Sequence, residues 1–163
     1  MKIILKYLLI ILFFCGSLLW SEDVKGIVTD KNLLWQKCNY GENPDDCSGE
    51  ALKMEWKEAG EACKKLTLGN KKWRLPEIEE LSSLIKCKDS KVPAFRETCG
   101  EGNVDIVAAD SMKFPTIQRY SYWSNTVRKN NDFYHLFVEF KKGLSNYDVS
   151  SRKMLIKCVS QIK

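Results

Sequence analysis

Seven cysteines constrain this chain more than any other feature of its sequence. One of them, Cys15, lies in a stretch that does not read as part of a fold. Met1, Lys2 and Lys6 give a short positive start, residues 7–14 an apolar run, and residues 17–21 a small-residue exit. Residues 1–21 therefore read as a secretory signal peptide, with an apolar run too short for a stable membrane span. Its removal leaves Cys38, Cys47, Cys63, Cys87, Cys99 and Cys158. An even set in an exported chain reads as disulfides, although counting alone leaves many pairings open. No C-x-x-C spacing exists and the single His135 is far from any cysteine in sequence, so zinc is not expected.

A second exit is written in Leu12-Phe13-Phe14-Cys15-Gly16-Ser17, a loose lipobox that would make Cys15 a lipidated N-terminus. Leu18-Leu19-Trp20 would then be an unusually apolar tether. The expectation is a secreted, periplasmic or cell-surface protein, with an outer-membrane lipoprotein anchored at Cys15 as the alternative. The formal net charge of +5 comes from 26 Lys and Arg against 21 Asp and Glu. Loss of Lys2 and Lys6 leaves 24 against 21, about +3, too mild a balance for a nucleic-acid partner. Residues 22–163 suffice for one domain with a real core.

Within that domain, Ile27-Val28-Thr29 and Leu33-Leu34-Trp35-Gln36 read as two strands turned at Asp30-Lys31-Asn32. Residues 38–48 are rich in turn formers, and a Cys38–Cys47 bridge would close them locally. From Met54 to Leu68 the spacing is helical, with Trp56, Ala59, Cys63 and Leu66 on one face and Gly69-Asn70 as the C-terminal cap. Trp73-Arg74-Leu75-Pro76 then leads into a second helix. Proline suits a helix entrance, Glu77, Glu79 and Glu80 suit the positive end of the dipole, and Ile78, Leu81, Leu84 and Ile85 form a stripe for burial. That helix is expected to end near Cys87. Residues 88–119 lack periodicity and carry Pro93, Gly100, Gly102 and Pro115, so a long irregular segment is expected, its first part tied by a Cys87–Cys99 link. The end of the chain is β-rich. Residues 133–140 alternate, with Leu136, Val138 and Phe140 on one face and His135 and Glu139 on the other, and residues 155–159 read as a closing strand.

Taken in order, several pieces form a recognisable set: Leu34-Trp35-Gln36; Trp56-x-x-Ala59-x-x-x-Cys63; Trp73-Arg74-Leu75-Pro76-x-x-x-Glu80-Leu81; Pro93-Ala94-Phe95; Tyr122-Trp123-Ser124; Val138-x-Phe140-x-x-Gly143; and Ile156-Lys157-Cys158-Val159. The set resembles the Lcl C-terminal domain family of bacterial proteins, over about residues 26–160. The resemblance implies an α+β fold, C-type-lectin-like and related in shape to formylglycine-generating enzymes. In it two helices pack on a twisted antiparallel sheet with a long irregular loop region. It also implies a Cys63–Cys158 bridge, and structural roles for Trp35, Trp56, Trp73, Arg74, Leu75, Pro76, Glu80, Leu81, Trp123 and Gly143. Two departures stand out. The family usually has Thr where Glu77 stands, so an incomplete capping box is expected. Its usual Thr-Gly before the first Leu-x-Trp is Lys31-Asn32, with Asn able to take a left-handed turn.

The function-bearing residues have structural alternatives. Trp35, Trp56, Trp73 and Trp123 could stack on sugars, but the core reading prevails because all four fall on regular elements. Arg74 is expected to pair with a carboxylate such as Glu80 rather than bind an anion. His135 reads as an exposed strand residue, with no nucleophile in a recognisable setting beside it. Glu101, Asn103, Asp105 and Asp110 offer oxygen ligands for calcium, yet the motifs of calcium-dependent lectins are absent and no cofactor is expected. Lys64, Lys65, Lys71, Lys72, Arg128, Lys129, Lys141, Lys142, Arg152 and Lys153 form a polyanion surface only if folding gathers them. No catalytic residue is assigned. The expected function is non-enzymatic recognition at the cell surface, of glycans such as the sulfated glycosaminoglycans bound by one family member, or of a host or envelope protein. The loops over residues 88–132 are the expected binding region. The competing class is an enzyme or enzyme accessory of formylglycine-generating descent, which would need a reactive cysteine pair.

Overall fold

The computed structural model describes residues 24–100, 110–117 and 120–162. The chain enters through a hairpin of β1 (Ile27–Asp30) and β2 (Leu33–Gln36), whose turn residues Lys31 and Asn32 have φ of 46° and 63°. Two positive-φ residues are what a tight hairpin turn demands, because its twist then matches that of the strands. On its other side β2 pairs with β8 (Val159–Gln161), so the two ends of the domain share one three-stranded sheet.

A second sheet runs in the order β3 (Lys53–Met54), β7 (Met154–Leu155), β4 (Ser121–Val127), β5 (Tyr134–Glu139), β6 (Leu144–Val149). Its pairings are antiparallel except for β4 with β7, where Tyr122 faces Leu155 in parallel. The single antiparallel sheet of the expectation is therefore two sheets with one parallel contact. The expected closing strand is split to serve both: residues 156–158 cross from the larger sheet to the smaller. At the outer edge, the N–H groups of Tyr147 and Val149 are taken by the side chains of Asn146 and Asp148, which blunts β6 as a template for further strands.

Helix α1 (Trp56–Lys65) buries Ala59, Ala62 and Cys63. It stops earlier than its sequence pattern suggests. Leu66 is already extended, and Gly69 and Asn70 adopt positive φ within a separate 3-10 turn, Leu68–Asn70, rather than capping α1 itself. Helix α2 (Ile78–Ser82) is also shorter than expected. The Ser83 hydroxyl donates to the Glu80 carbonyl at 2.7 Å, and Leu84 and Ile85 bond back only three residues, so the helix tightens and ends. The predicted stripe is nevertheless buried: Ile78, Leu81, Leu84 and Ile85 all lie in the core.

The larger sheet is covered on both faces. Tyr122, Val138 and Phe140 look into one cluster with Trp35, the α2 stripe, Phe114 and Ile117; Trp123 and Phe137 look into another with Ala59, Cys63, Trp73, Leu75 and Ile156. This corrects the reading of β5 as half-solvated. α1 lies against its second face, so His135 is 4% exposed and stacks on Trp56 with ring centroids 3.6 Å apart. Burial lowers its pKa below the usual histidine value. Three bridges staple the whole: Cys38–Cys47, Cys63–Cys158 from α1 to the crossing segment, and Cys87–Cys99.

Candidate binding groove

The Trp73-Arg74-Leu75-Pro76 stretch is built into the frame. Trp73 is buried, with its indole N–H on the Leu68 carbonyl at 2.8 Å, and Leu75 is 1% exposed. Arg74 exchanges both backbone bonds with Val159, at 2.9 Å each, joining the stretch to β8. Its guanidinium grips Glu80 with two bonds of 2.7 Å. This bidentate pair holds the Glu80 carboxyl below the usual carboxylate range and raises Arg74 further. Glu80 also accepts the Glu77 N–H at 2.7 Å, and a capping box is present. The box expected to be incomplete is thus formed. Glu at 77 reaches across to β4, where its carboxylate accepts from Asn125 and from Thr126, both at 2.8 Å.

Of the four tryptophans weighed above, Trp35, Trp73 and Trp123 are buried and Trp56 is half-buried, its N–H on the Ser124 carbonyl at 2.8 Å. Of the oxygen-ligand candidates, Glu101, Asn103 and Asp105 lie outside the described residues. Asp110 is engaged: it pairs with Lys86 at 3.2 Å and caps the turn at Met112, which holds its carboxyl below the usual range. The one cluster of ligand-type side chains among the described residues, Cys38, Glu42 and Cys47, has both cysteines in a bridge and Glu42 bonded to Asn39 and Thr116. The basic residues are not gathered into one surface. Lys141 and Lys142 follow β5 at one end of the sheet, while Arg128 and Lys129 precede it at the other; Lys64 and Arg152 are paired with Glu61 and Asp148.

A buried cation at Lys157 has no local sequence signal. Its ammonium donates to the carbonyls of Gln36, Lys37 and Cys38 at 3.1, 3.0 and 3.3 Å, and lies 5.2 Å from the Phe114 ring centroid. Burial pushes its pKa down to about 7, against the pull of nearby Glu42. Beside it, Asn39, Glu42, Thr116 and Tyr122 form a bonded set that fastens residues 110–117 to the 38–47 loop. The irregular segment thereby contributes Phe114 and Ile117 to the core rather than standing apart from it.

Of the described residues in the expected binding region, 92–96 and 126–129 border an open groove. Two adjoining hollows of about 440 and 560 Å³ share Ile78, Glu79, Phe95 and Leu136. Val92, Pro93 and three serines complete the first; Arg96, Arg128, Lys129 and Tyr147 line the second. Each wall has a clear support. α2 supplies Ile78 and Glu79 from its first turn, and β6 presents Tyr147. The 93–96 loop is held by the Arg96 N–H on the Ser145 carbonyl at 2.9 Å and tethered by the Cys87–Cys99 bridge. Arg128 sits 4.1 Å and Arg96 5.9 Å from the Tyr147 ring centroid, and Phe95 stacks beside that ring at 6.3 Å. Neither arginine pairs with a described carboxylate. Arg128 was among the basic candidates; Arg96 and Tyr147 were not, because their meeting depends on the 93–96 loop crossing to β6.

These features define a disulfide-stapled α+β domain, with two helices and two sheets among the described residues. Residues 26–160 match the Lcl C-terminal domain, and the chain belongs to that family. No curated protein matches it. Three bridges are those of a protein made for an oxidising compartment. No helix among the described residues is long and apolar enough to cross a membrane.

Proposed function

We propose that this is an exported, non-enzymatic recognition module with a C-type-lectin-like fold, and that its ligand, a glycan or a surface protein, sits in the groove between α2 and β6. The observation that carries this reading is the pair of arginines, Arg96 and Arg128, held over one tyrosine beside an open apolar floor with no described carboxylate to satisfy them. Guanidinium groups stacked on aromatic rings keep their donor forks outward, a ready arrangement for sulfate or carboxylate. The leader over residues 1–21 and the three bridges fit export, with lipidation at Cys15 as the alternative route to the surface. Polyanion binding then depends on this local pair rather than on a wide basic face.

The competing enzyme reading needs a reactive thiol pair, whereas Cys38, Cys47, Cys63, Cys87, Cys99 and Cys158 are all engaged in bridges. Screening the mature protein on glycan and surface-protein arrays tests the proposal. Capture that is lost in an Arg96→Gln/Arg128→Gln variant supports it. No capture, together with a free reactive thiol pair on titration under denaturing, non-reducing conditions, overturns it.

A further inference from the structure

We infer that the groove takes a short peptide segment of a partner protein, an apolar side chain in one half and a carboxylate in the other. The inference rests on the reading of this groove as the ligand site and names what that ligand is. Three observations carry it.

The first is the division of the groove. The apolar walls of its smaller hollow are Ile78, Val92, Pro93, Phe95 and Leu136, with Glu79 and three serines completing the lining. Val92 and Phe95 are each 46% exposed, an unusual placement for two large apolar side chains on one stapled loop. A cavity of about 440 Å³ with apolar walls on one side accommodates a large aliphatic or aromatic side chain.

The second is charge. The adjoining hollow carries Arg96, Arg128 and Lys129 against the single carboxylate of Glu79. The complement of that rim is an anion, and the fork of a guanidinium held by a ring suits a planar carboxylate with two parallel bonds.

The third concerns the aromatic surface. Carbohydrate stacking needs an open ring face, and Tyr147 is already crowded: Arg128 and Arg96 lie over its ring, Phe95 stacks beside it, and Tyr134 meets it edge-on at 5.6 Å. Tyr134 in turn has Arg128 at 5.5 Å from its own centroid. The aromatics here hold the arginines in place and leave the apolar hollow as the distinctive contact. A peptide that places a leucine or phenylalanine next to an aspartate or glutamate meets both halves at once.

The test uses the mature, oxidised protein, short synthetic peptides carrying Leu or Phe beside Glu, and sulfated heparin fragments, with binding read by fluorescence polarisation. The acidic peptides should bind, and their Glu→Gln counterparts should bind about tenfold more weakly, as loss of charge-assisted hydrogen bonds implies. Arg128→Lys, which keeps the charge but loses the fork, should weaken binding. Val92→Ser and Phe95→Ser should weaken the peptide while leaving any heparin binding unchanged. Val92, Phe95, Arg96 and Arg128 are all solvent-accessible, and unchanged thermal melting of their variants confirms folding. Heparin fragments that bind through Arg96 and Arg128 while no peptide binds would overturn the peptide inference and leave the groove as the ligand site. Binding of either probe that is indifferent to Arg96→Gln and Arg128→Gln would overturn both.

Discussion

The hydroxyl of Thr126, on β4, accepts the N–H of Ile78 at 2.9 Å and donates to the Glu77 carboxylate at 2.8 Å. The family's usual threonine is missing from position 77, yet a threonine hydroxyl still satisfies the first helical N–H of α2, delivered from the sheet. The local capping box is thus joined by a tertiary contact. Thr126→Val keeps the shape and removes both bonds. It should cost about 1 kcal/mol, the ordinary worth of an N-cap, seen as a lower urea midpoint at unchanged slope. Thr126→Ser, which keeps the hydroxyl, should lose much less.

Lys157 makes stability depend on pH in an unusual window. Its folded pKa is lowered to about 7 by burial, whereas an unfolded lysine holds its proton to about pH 10.4. Between those values the unfolded chain binds more protons, so stability should rise with pH from neutrality towards pH 9. Urea denaturation at pH 7, 8 and 9 measures the slope. In Lys157→Met the rise should disappear, and the carbonyls of Gln36, Lys37 and Cys38 should lose their donor. A wild-type protein with no rise over this range would show that the three carbonyls hold the ammonium as firmly as water does.

The three bridges should not be equivalent. Cys63–Cys158 spans a sequence separation of 95, against 12 for Cys87–Cys99 and 9 for Cys38–Cys47. Loop-closure entropy then makes the long staple worth about 2 kcal/mol more than the Cys87–Cys99 bridge. Replacing Cys63 and Cys158 together by serine should cost ~2–5 kcal/mol in chemical denaturation. The Cys87→Ser/Cys99→Ser variant should cost less and should also loosen the 93–96 loop, which hydrogen exchange at the Arg96 amide would report.

How far the sequence carried the reading depended on distance along the chain. Lys31-Asn32, the α2 stripe and the two short bridges were legible because each is decided within about a dozen residues. Cys63–Cys158 and Arg74–Glu80 came with the family's spacing. What stayed hidden were meetings of remote segments. His135 looked exposed because nothing in residues 133–140 reveals that α1 covers that face. Lys157 looked like an ordinary strand lysine because its three carbonyls belong to residues 36–38. The groove likewise needs Arg96, Arg128 and Tyr147 from three separate segments. Among the described residues of the expected region 88–132, the parts flanking α2 and β6 border it, while Phe114 and Ile117 were drawn into the core.

Gly143 gives the sharpest local test, because conformation and space both demand it. Its φ is +61°, and a Cβ there would run into Cys99 Sγ and press on Ile85 Cγ2 at 3.1 Å. The turn after β5 therefore closes against the Cys87–Cys99 bridge, and the Cys99 N–H bonds the Lys142 carbonyl at 3.2 Å. Gly143→Ala adds left-handed strain of about 1–2 kcal/mol to overpacking of about 1–3 kcal/mol. The loss should appear as a lower melting temperature. If crowding against the sulfur dominates, removing the bridge by Cys87→Ser/Cys99→Ser should relieve part of the penalty, so the two changes together cost less than their sum. If the left-handed backbone dominates, the costs should add. The double-mutant cycle thus separates the two reasons a glycine stands at this turn, and strict additivity would rule out the contact with Cys99 as a source of the cost.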